Sequence, residues 1–144
     1  MSKLLLFALA VALAGPIEAK TVTVKMLNSG AAGAMVFEPA FVKVSPGDSV
    51  TFAPTNPSHN AESINSMMPA GATPFKATVN QAITVKFTKP GVYGIKCAPH
   101  LGLGMVALVQ VGNASPNLAQ ARAEAGKLPP LAKKRMVPLV VAAK

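Results

Sequence analysis

The chain has no tryptophan, one tyrosine, one cysteine and five acidic residues among 144. Each shortage excludes something. A single cysteine forms no internal disulfide, so this is not a disulfide-built scaffold. One cysteine and two histidines rule out zinc fingers and four-cysteine iron–sulfur sites. Only 13% of residues are charged and 51% are hydrophobic, which excludes a disordered basic tail. The length suits one domain that buries a core without a staple. What charge there is has one sign: 14 Lys and Arg give +9 and a pI near 10.1, which points to an acidic partner. Few aromatics and no basic stripe argue against nucleic acid.

The first 19 residues read as a leader. Lys3 precedes an unbroken apolar run, Leu4 to Ala14, then Gly15-Pro16 and a cleavage site after Ala19. The run is too short to span a bilayer. The expectation is a cleaved signal peptide over 1–19, export to the periplasm and no membrane association. A free thiol in an oxidising compartment is a liability unless something occupies it. That draws attention to Cys97.

From Lys20 to Gly112 the pattern is one of short strands. Thr21–Lys25 alternates, placing Val22, Val24 and Met26 on one face. Phe41–Val44 runs into the Ser-Pro-Gly-Asp turn at 45–48. Ser49–Ala53, Ala82–Phe87, Val92–Lys96 and Met105–Val111 follow, with Lys89-Pro90-Gly91 as a further turn. Short strands at close intervals predict an all-β sandwich or barrel over 20–112. Residues 113–144 shift to Ala, Leu, Lys and Arg. Ser115-Pro116-Asn117 opens a helix that stops near Gly126, and Pro129-Pro130 starts a second, which Pro138 should kink or shorten. Leu131, Met136, Leu139 and Val140 need a surface to cover, so this extension packs on the sandwich as part of the same domain.

The chemistry concentrates in Cys97, His100 and Met105, within the loop between two strands. His59 follows the Ser49–Ala53 strand, and loops at one end of a sandwich meet. Thiolate, two imidazoles and a thioether are the His2Cys set with weak axial Met that holds copper for electron transfer. Four protein ligands leave no position for substrate, so carriage is favoured over catalysis. A cysteine nucleophile would need a base and an orienting group, which no pattern here supplies. A protein that stores or delivers copper would use the same ligands and stands as the alternative.

These residues, with Val24-Lys-Met-Leu-Asn28, Gly33-Ala-Met-Val-Phe-Glu-Pro-Ala40, Pro46-Gly-Asp48, His59-Asn60, Lys96-Cys-Ala-Pro-His100 and Gly104-Met105, resemble the cupredoxins, in particular the pseudoazurin branch. The resemblance implies an eight-stranded Greek-key sandwich with two C-terminal helices and one type 1 copper held by His59, Cys97, His100 and Met105. It implies that Asn60 bonds the cysteine sulfur through its backbone and ties loops together, and that Met35 and Pro99 flank the exposed ligand His100. An apolar patch of Pro99, Leu101, Leu103 and Met35, with Lys76 and Lys96 near it, would dock a transient redox partner. The implied partner is nitrite reductase or a cytochrome c, met by a periplasmic monomer.

Overall fold

The computed structural model describes Gly15, residues 17–112 and residues 116–144. The apolar leader run and residues 113–115, which include Ser115 of the expected helix opening, lie outside the described residues. Of the leader, Gly15 and residues 17–19 are exposed coil, with Ile17 95% exposed.

Eight strands form two four-stranded sheets. They are β1 (Thr21–Gly30), β2 (Gly33–Glu38), β3 (Phe41–Val44), β4 (Ser49–Pro54), β5 (Glu62–Ser63), β6 (Ile83–Lys86), β7 (Gly91–Lys96) and β8 (Val106–Val111). One sheet runs β2-β1-β4-β6 and the other β3-β8-β7-β5. The β1–β4 and β3–β8 pairs are parallel and the others antiparallel, so both sheets are mixed. This is a sandwich rather than a closed barrel, as expected for all-β patterning.

The sheets face each other across one core. Val24 and Met26 from β1, Val50 and Phe52 from β4, and Ile95, Ala107, Val109 and Val111 from β7 and β8 meet there with Phe37, Phe87 and Tyr93. Val24 and Met26 are fully buried, as the alternation in β1 predicts, and Val22 is half-buried. The Ser45–Asp48 turn forms as read. Asp48 N–H donates to the Ser45 carbonyl (3.0 Å), Ser45 N–H to the Asp48 carboxylate (2.8 Å), and Gly47 takes φ +98°.

A second apolar cluster covers the outer face of β7 and β8. Helices α1 (Leu118–Ala125) and α2 (Pro130–Ala142) supply Ala121, Ala125, Ala132, Met136 and Val140 against Val92, Val106 and Leu108. This is why β8 (VALVQV) is buried at every position and reads as a continuous apolar run. On that face Gly94 is a spacing requirement, since a Cβ there would stand 2.9 Å from Met67.

The opening of α1 makes a contact that the sequence does not announce, and one helix expectation needs correction. Asn117 is the N-cap residue of α1 but makes no capping side-chain bond. Its amide instead bonds both backbone groups of Val92, accepting from N–H (2.9 Å) and donating to C=O (2.8 Å), which pins α1 to β7. Pro138 does not shorten α2, which runs four residues beyond it. Pro138 and Lys134 both lie on the solvent side, so water can serve the carbonyl that loses its helical donor. Of the residues expected to cover the sandwich, Met136 and Val140 are buried and Leu139 is half-buried, but Leu131 is 48% exposed.

Candidate metal centre

Strand β7 turns its odd residues inward, and Cys97, the residue after its end, keeps that direction, so the sulfur enters the inter-sheet core and is fully buried. The loop over Ala98–Leu103 then forms two short 3-10 turns with a kink at His100 (φ −120°, ψ 17°), and ends at Gly104 in the left-handed region (φ +85°). That tight return brings Cys97 N–H onto the Met105 carbonyl (3.0 Å) and Met105 N–H onto the His100 carbonyl (3.2 Å). The two ends of the loop are thereby fixed to each other. Met105, fully buried, reaches the same core as Cys97. His59 arrives from the segment after β4 and is also fully buried, whereas His100 is half-buried at the surface.

His59, Cys97 and His100 are the cluster of potential metal-ligating side chains among the described residues. The donor atoms converge: Nδ1 of His59 and Nδ1 of His100 lie 3.1 Å apart, and Cys97 Sγ lies 3.8 and 3.5 Å from them. An ion of zinc's size in the plane of such ligands, with metal–N of about 2.0–2.1 Å and metal–S of about 2.3 Å, would set N···N near roughly 3.5 Å and N···S near roughly 3.8 Å. The donor set therefore fits one transition-metal ion with little movement. Thiolate and thioether select a soft ion and imidazole accepts a harder one, which is the chemistry of copper in both its oxidation states.

A bond that the sequence does not announce sets the tautomer. Nε2 of His59 lies 2.8 Å from the Asn28 side-chain oxygen, so Nε2 carries the proton and Nδ1 turns its lone pair to the centre. Asn28 is on β1, and its backbone N–H is itself held by Asn56 (2.9 Å). A polar residue before the end of an alternating strand was the available signal. Burial lowers the basicity of His59, and neighbouring His100 lowers it further, both of which keep the imidazole neutral and free to ligate. Burial pushes the Cys97 thiol up from its ordinary value. The backbone N–H groups of Asn60 and His100 pull against that, and Glu62 adds to the rise. Without metal the sulfur holds its proton, which a bound cation displaces.

Around the ligands, the Asn60 side chain accepts from Ala98 N–H (2.8 Å) and donates to the Ala77 carbonyl (3.1 Å), joining the Cys97 loop to the segment before β6. Asn60 also reaches Glu62 (3.4 Å), whose largely buried carboxylate meets Lys96 at 3.0 Å and Lys76 at 3.7 Å. Burial pushes the Glu62 carboxyl up, but Lys96, then Asn60 and Lys76, outweigh it and hold it below its ordinary range. Lys76 and Lys96 thus share one counter-charge. Met35 sits in the left-handed region (φ 51°), half-buried against the core that contains Cys97 and Met105. Pro99 and Leu103 are exposed, Leu103 at 50%, while Leu101 is half-buried against the helical cluster.

Comparison with known proteins agrees with this geometry. The family model for copper binding proteins of the plastocyanin/azurin family matches residues 24–112. Pseudoazurin of Paracoccus pantotrophus is 52% identical over 125 residues, covering 87% of this chain and 85% of that protein. Pseudoazurin of Methylorubrum extorquens is 55% identical over 115 residues, covering 80% and 78%. Among solved structures, pseudoazurin from Methylobacterium extorquens AM1 superposes with TM-score 0.80 at 52% identity, covering 84% of this chain and 97% of that one. Pseudoazurin from Hyphomicrobium denitrificans gives 0.79 at 44%, covering 86% and 98%.

Proposed function

The chain belongs to the plastocyanin/azurin family of copper-binding proteins, among its pseudoazurins, and on that premise we propose that it shuttles single electrons between redox proteins of the periplasm. That it is a copper electron carrier and not an enzyme follows from the family and from the His59, Cys97, His100 and Met105 set, a type 1 copper arrangement. Copper supplies one redox step between Cu(II) and Cu(I) when bound.

The side chains do the rest. Cys97, His59 and Met105 are wholly buried, so water is excluded from three of the four ligands. Sheet and loop bonds on both sides of Cys97 hold the ligands in one arrangement, which suits an ion that must change charge with little rearrangement. Of the four ligands His100 alone is half-exposed, which makes it the short route from the centre to the surface. That exposure is the observation that carries the reading. Pro99 and Leu103 beside it offer apolar surface for docking, with Leu101 behind them and Met35 on the neighbouring strand. Lys96 and Lys76 flank it and would steer an acidic partner such as a nitrite reductase or a cytochrome c. Because Glu62 engages both, their field is weaker than two free lysines would give, which suits a contact that forms fast and releases. Delivery of copper to another protein would require an open coordination position; three of the four donors are wholly buried, which leaves the half-exposed His100 as the one ligand that an acceptor could displace.

The start of the sheet pairing is compatible with a chain that begins at Lys20. The Lys20 backbone nitrogen lies 2.8 Å from the Asp48 carboxylate, and the Lys20 carbonyl accepts from Ser49, so sheet pairing begins there. A free α-ammonium at Lys20 would form an ion pair with Asp48. The docking face is tested by stopped-flow oxidation of the reduced protein with an acidic redox partner. Lys96→Glu should slow association severalfold at low salt, with the difference vanishing as salt rises. Lys134→Glu, on the exposed side of α2, should change it little. Equal losses would refute this placement of the face.

A further inference from the structure

Arg135 lies on α2, far in sequence from β2 and from the loop that presents His100 and Met105, yet its guanidinium joins the two. Nη1 donates to the Met35 carbonyl (2.7 Å) and to the Gly104 carbonyl (3.1 Å), and Nη2 donates to the Ala34 carbonyl (2.9 Å). Met35 and Gly104 belong to segments of opposite sheets. Gly104 immediately precedes Met105 and closes the 3-10 turn that holds His100. The helix rests directly on this residue: a Cβ at Gly104 would stand 3.0 Å from the Leu131 carbonyl and 3.2 Å from Arg135 Cδ.

The partner segment is equally placed for an effect. Met35 holds a left-handed conformation that a non-glycine residue rarely adopts, so something must retain it there. Its carbonyl is the shortest of the three acceptors. Across the β1–β2 ladder, Met35 falls between the pairs Leu27–Val36 and Ser29–Ala34, opposite Asn28, which orients His59. One guanidinium therefore ties together the loop of His100 and Met105 and the strand pair that anchors His59. Among the described residues Arg135 forms no ion pair, so its fork is committed to these carbonyls.

We propose that Arg135 is a positioning residue for the copper centre, clamping the loop that carries Met105 against β2 and so fixing where the Met105 thioether stands relative to the Cys97, His59 and His100 donors. The helical extension then does more than cover apolar surface, since it would set from outside where the Met105 thioether stands. A planar fork reaching carbonyls on two segments has no equivalent in lysine, which offers a point charge.

The inference rests on copper binding by the four ligands, and its test separates the two. Copper-loaded wild type, Arg135→Ala, Arg135→Lys and Met136→Ala are compared by visible and electron paramagnetic resonance spectra and by copper retention against a chelator. Met136 is buried in the helical cluster with no bond to the loop, so its truncation loosens α2 without cutting the clamp. Arg135→Ala should shift the thiolate-to-copper bands and weaken copper retention by roughly 10–100-fold. Arg135→Lys, which keeps the charge, should remain nearer to the alanine variant than to wild type, and it decides the question if the alanine variant does not fold. Met136→Ala should lower the melting temperature with unchanged bands. Wild-type bands and retention in both Arg135 variants would overturn the proposal, as would full rescue by lysine or the same band shift in Met136→Ala. Failure of the wild type itself to bind copper would instead overturn the copper reading.

Discussion

The bond from His59 to Asn28 gives a quantitative expectation. Replacing Asn28 by Ala leaves the Nε2–H of a fully buried imidazole without its acceptor at 2.8 Å. An orphaned buried donor costs about 1–3 kcal/mol. Asn28 itself is exposed, so water can enter where its amide stood and the cost falls in the lower half, about 1–2 kcal/mol. Charged against the ligating tautomer, that is about a 5–30-fold loss of copper affinity. Competition with a chromophoric chelator at fixed pH measures it, with thermal unfolding of the copper-free protein alongside. Asn28→Asp keeps the acceptor and adds charge, so it should bind Cu(II) at least as tightly as wild type. Wild-type affinity in Asn28→Ala would refute the tautomer argument. So would an equal loss of stability in the copper-free protein, because the effect would then lie in the fold and not in the ligand.

Two further outcomes follow from buried polar groups. Asn117→Ala strands both the N–H and the C=O of Val92 and should destabilise the protein by about 2–4 kcal/mol in denaturant unfolding, with the visible spectrum unchanged in the folded fraction. Glu62 has a folded pKa below the ordinary glutamate value, so the unfolded chain takes up its proton first as pH falls. Its contribution is therefore complete above about pH 4.5 and lost as pH drops through the lowered folded value. The melting temperature of the copper-free protein should decline through that acid range, and Glu62→Gln should flatten the decline; an identical profile in the variant would contradict the pairing with Lys96 and Lys76.

Local signals carried much of this molecule. Alternation located β1 and β4, and the Pro-Gly turn at 45–48 fixed the end of β3. The strand–loop–strand setting of Cys97, His100 and Met105 was readable because all three ligands lie on one short return, and the rarity of His made His59 the natural fourth. Alternation did not locate β2, since Val36 and Phe37 are buried consecutively and Met35 leaves the extended region, nor β5, which has only two residues. Asn117 stands in the Ser-Pro-Asn opening of α1, where caps and strand anchors use the same amide, and only tertiary placement shows that it anchors β7. Asn28 and Arg135 were opaque for a related reason. Each acts across long sequence separations on a backbone or ring whose position is set by the fold. Lys76 and Lys96 read as free charges, and their shared counter-charge became visible once β5 placed Glu62 opposite Lys96.

The most direct test of the account is a Cu(II) titration of the copper-free chain followed by visible absorbance, with Cys97→Ser in parallel. The four-ligand arrangement predicts an intense thiolate-to-copper band that saturates at one copper per chain, and no such band in the variant. A wild type that stays colourless on adding copper, or a band that survives the loss of the Cys97 sulfur, would contradict it.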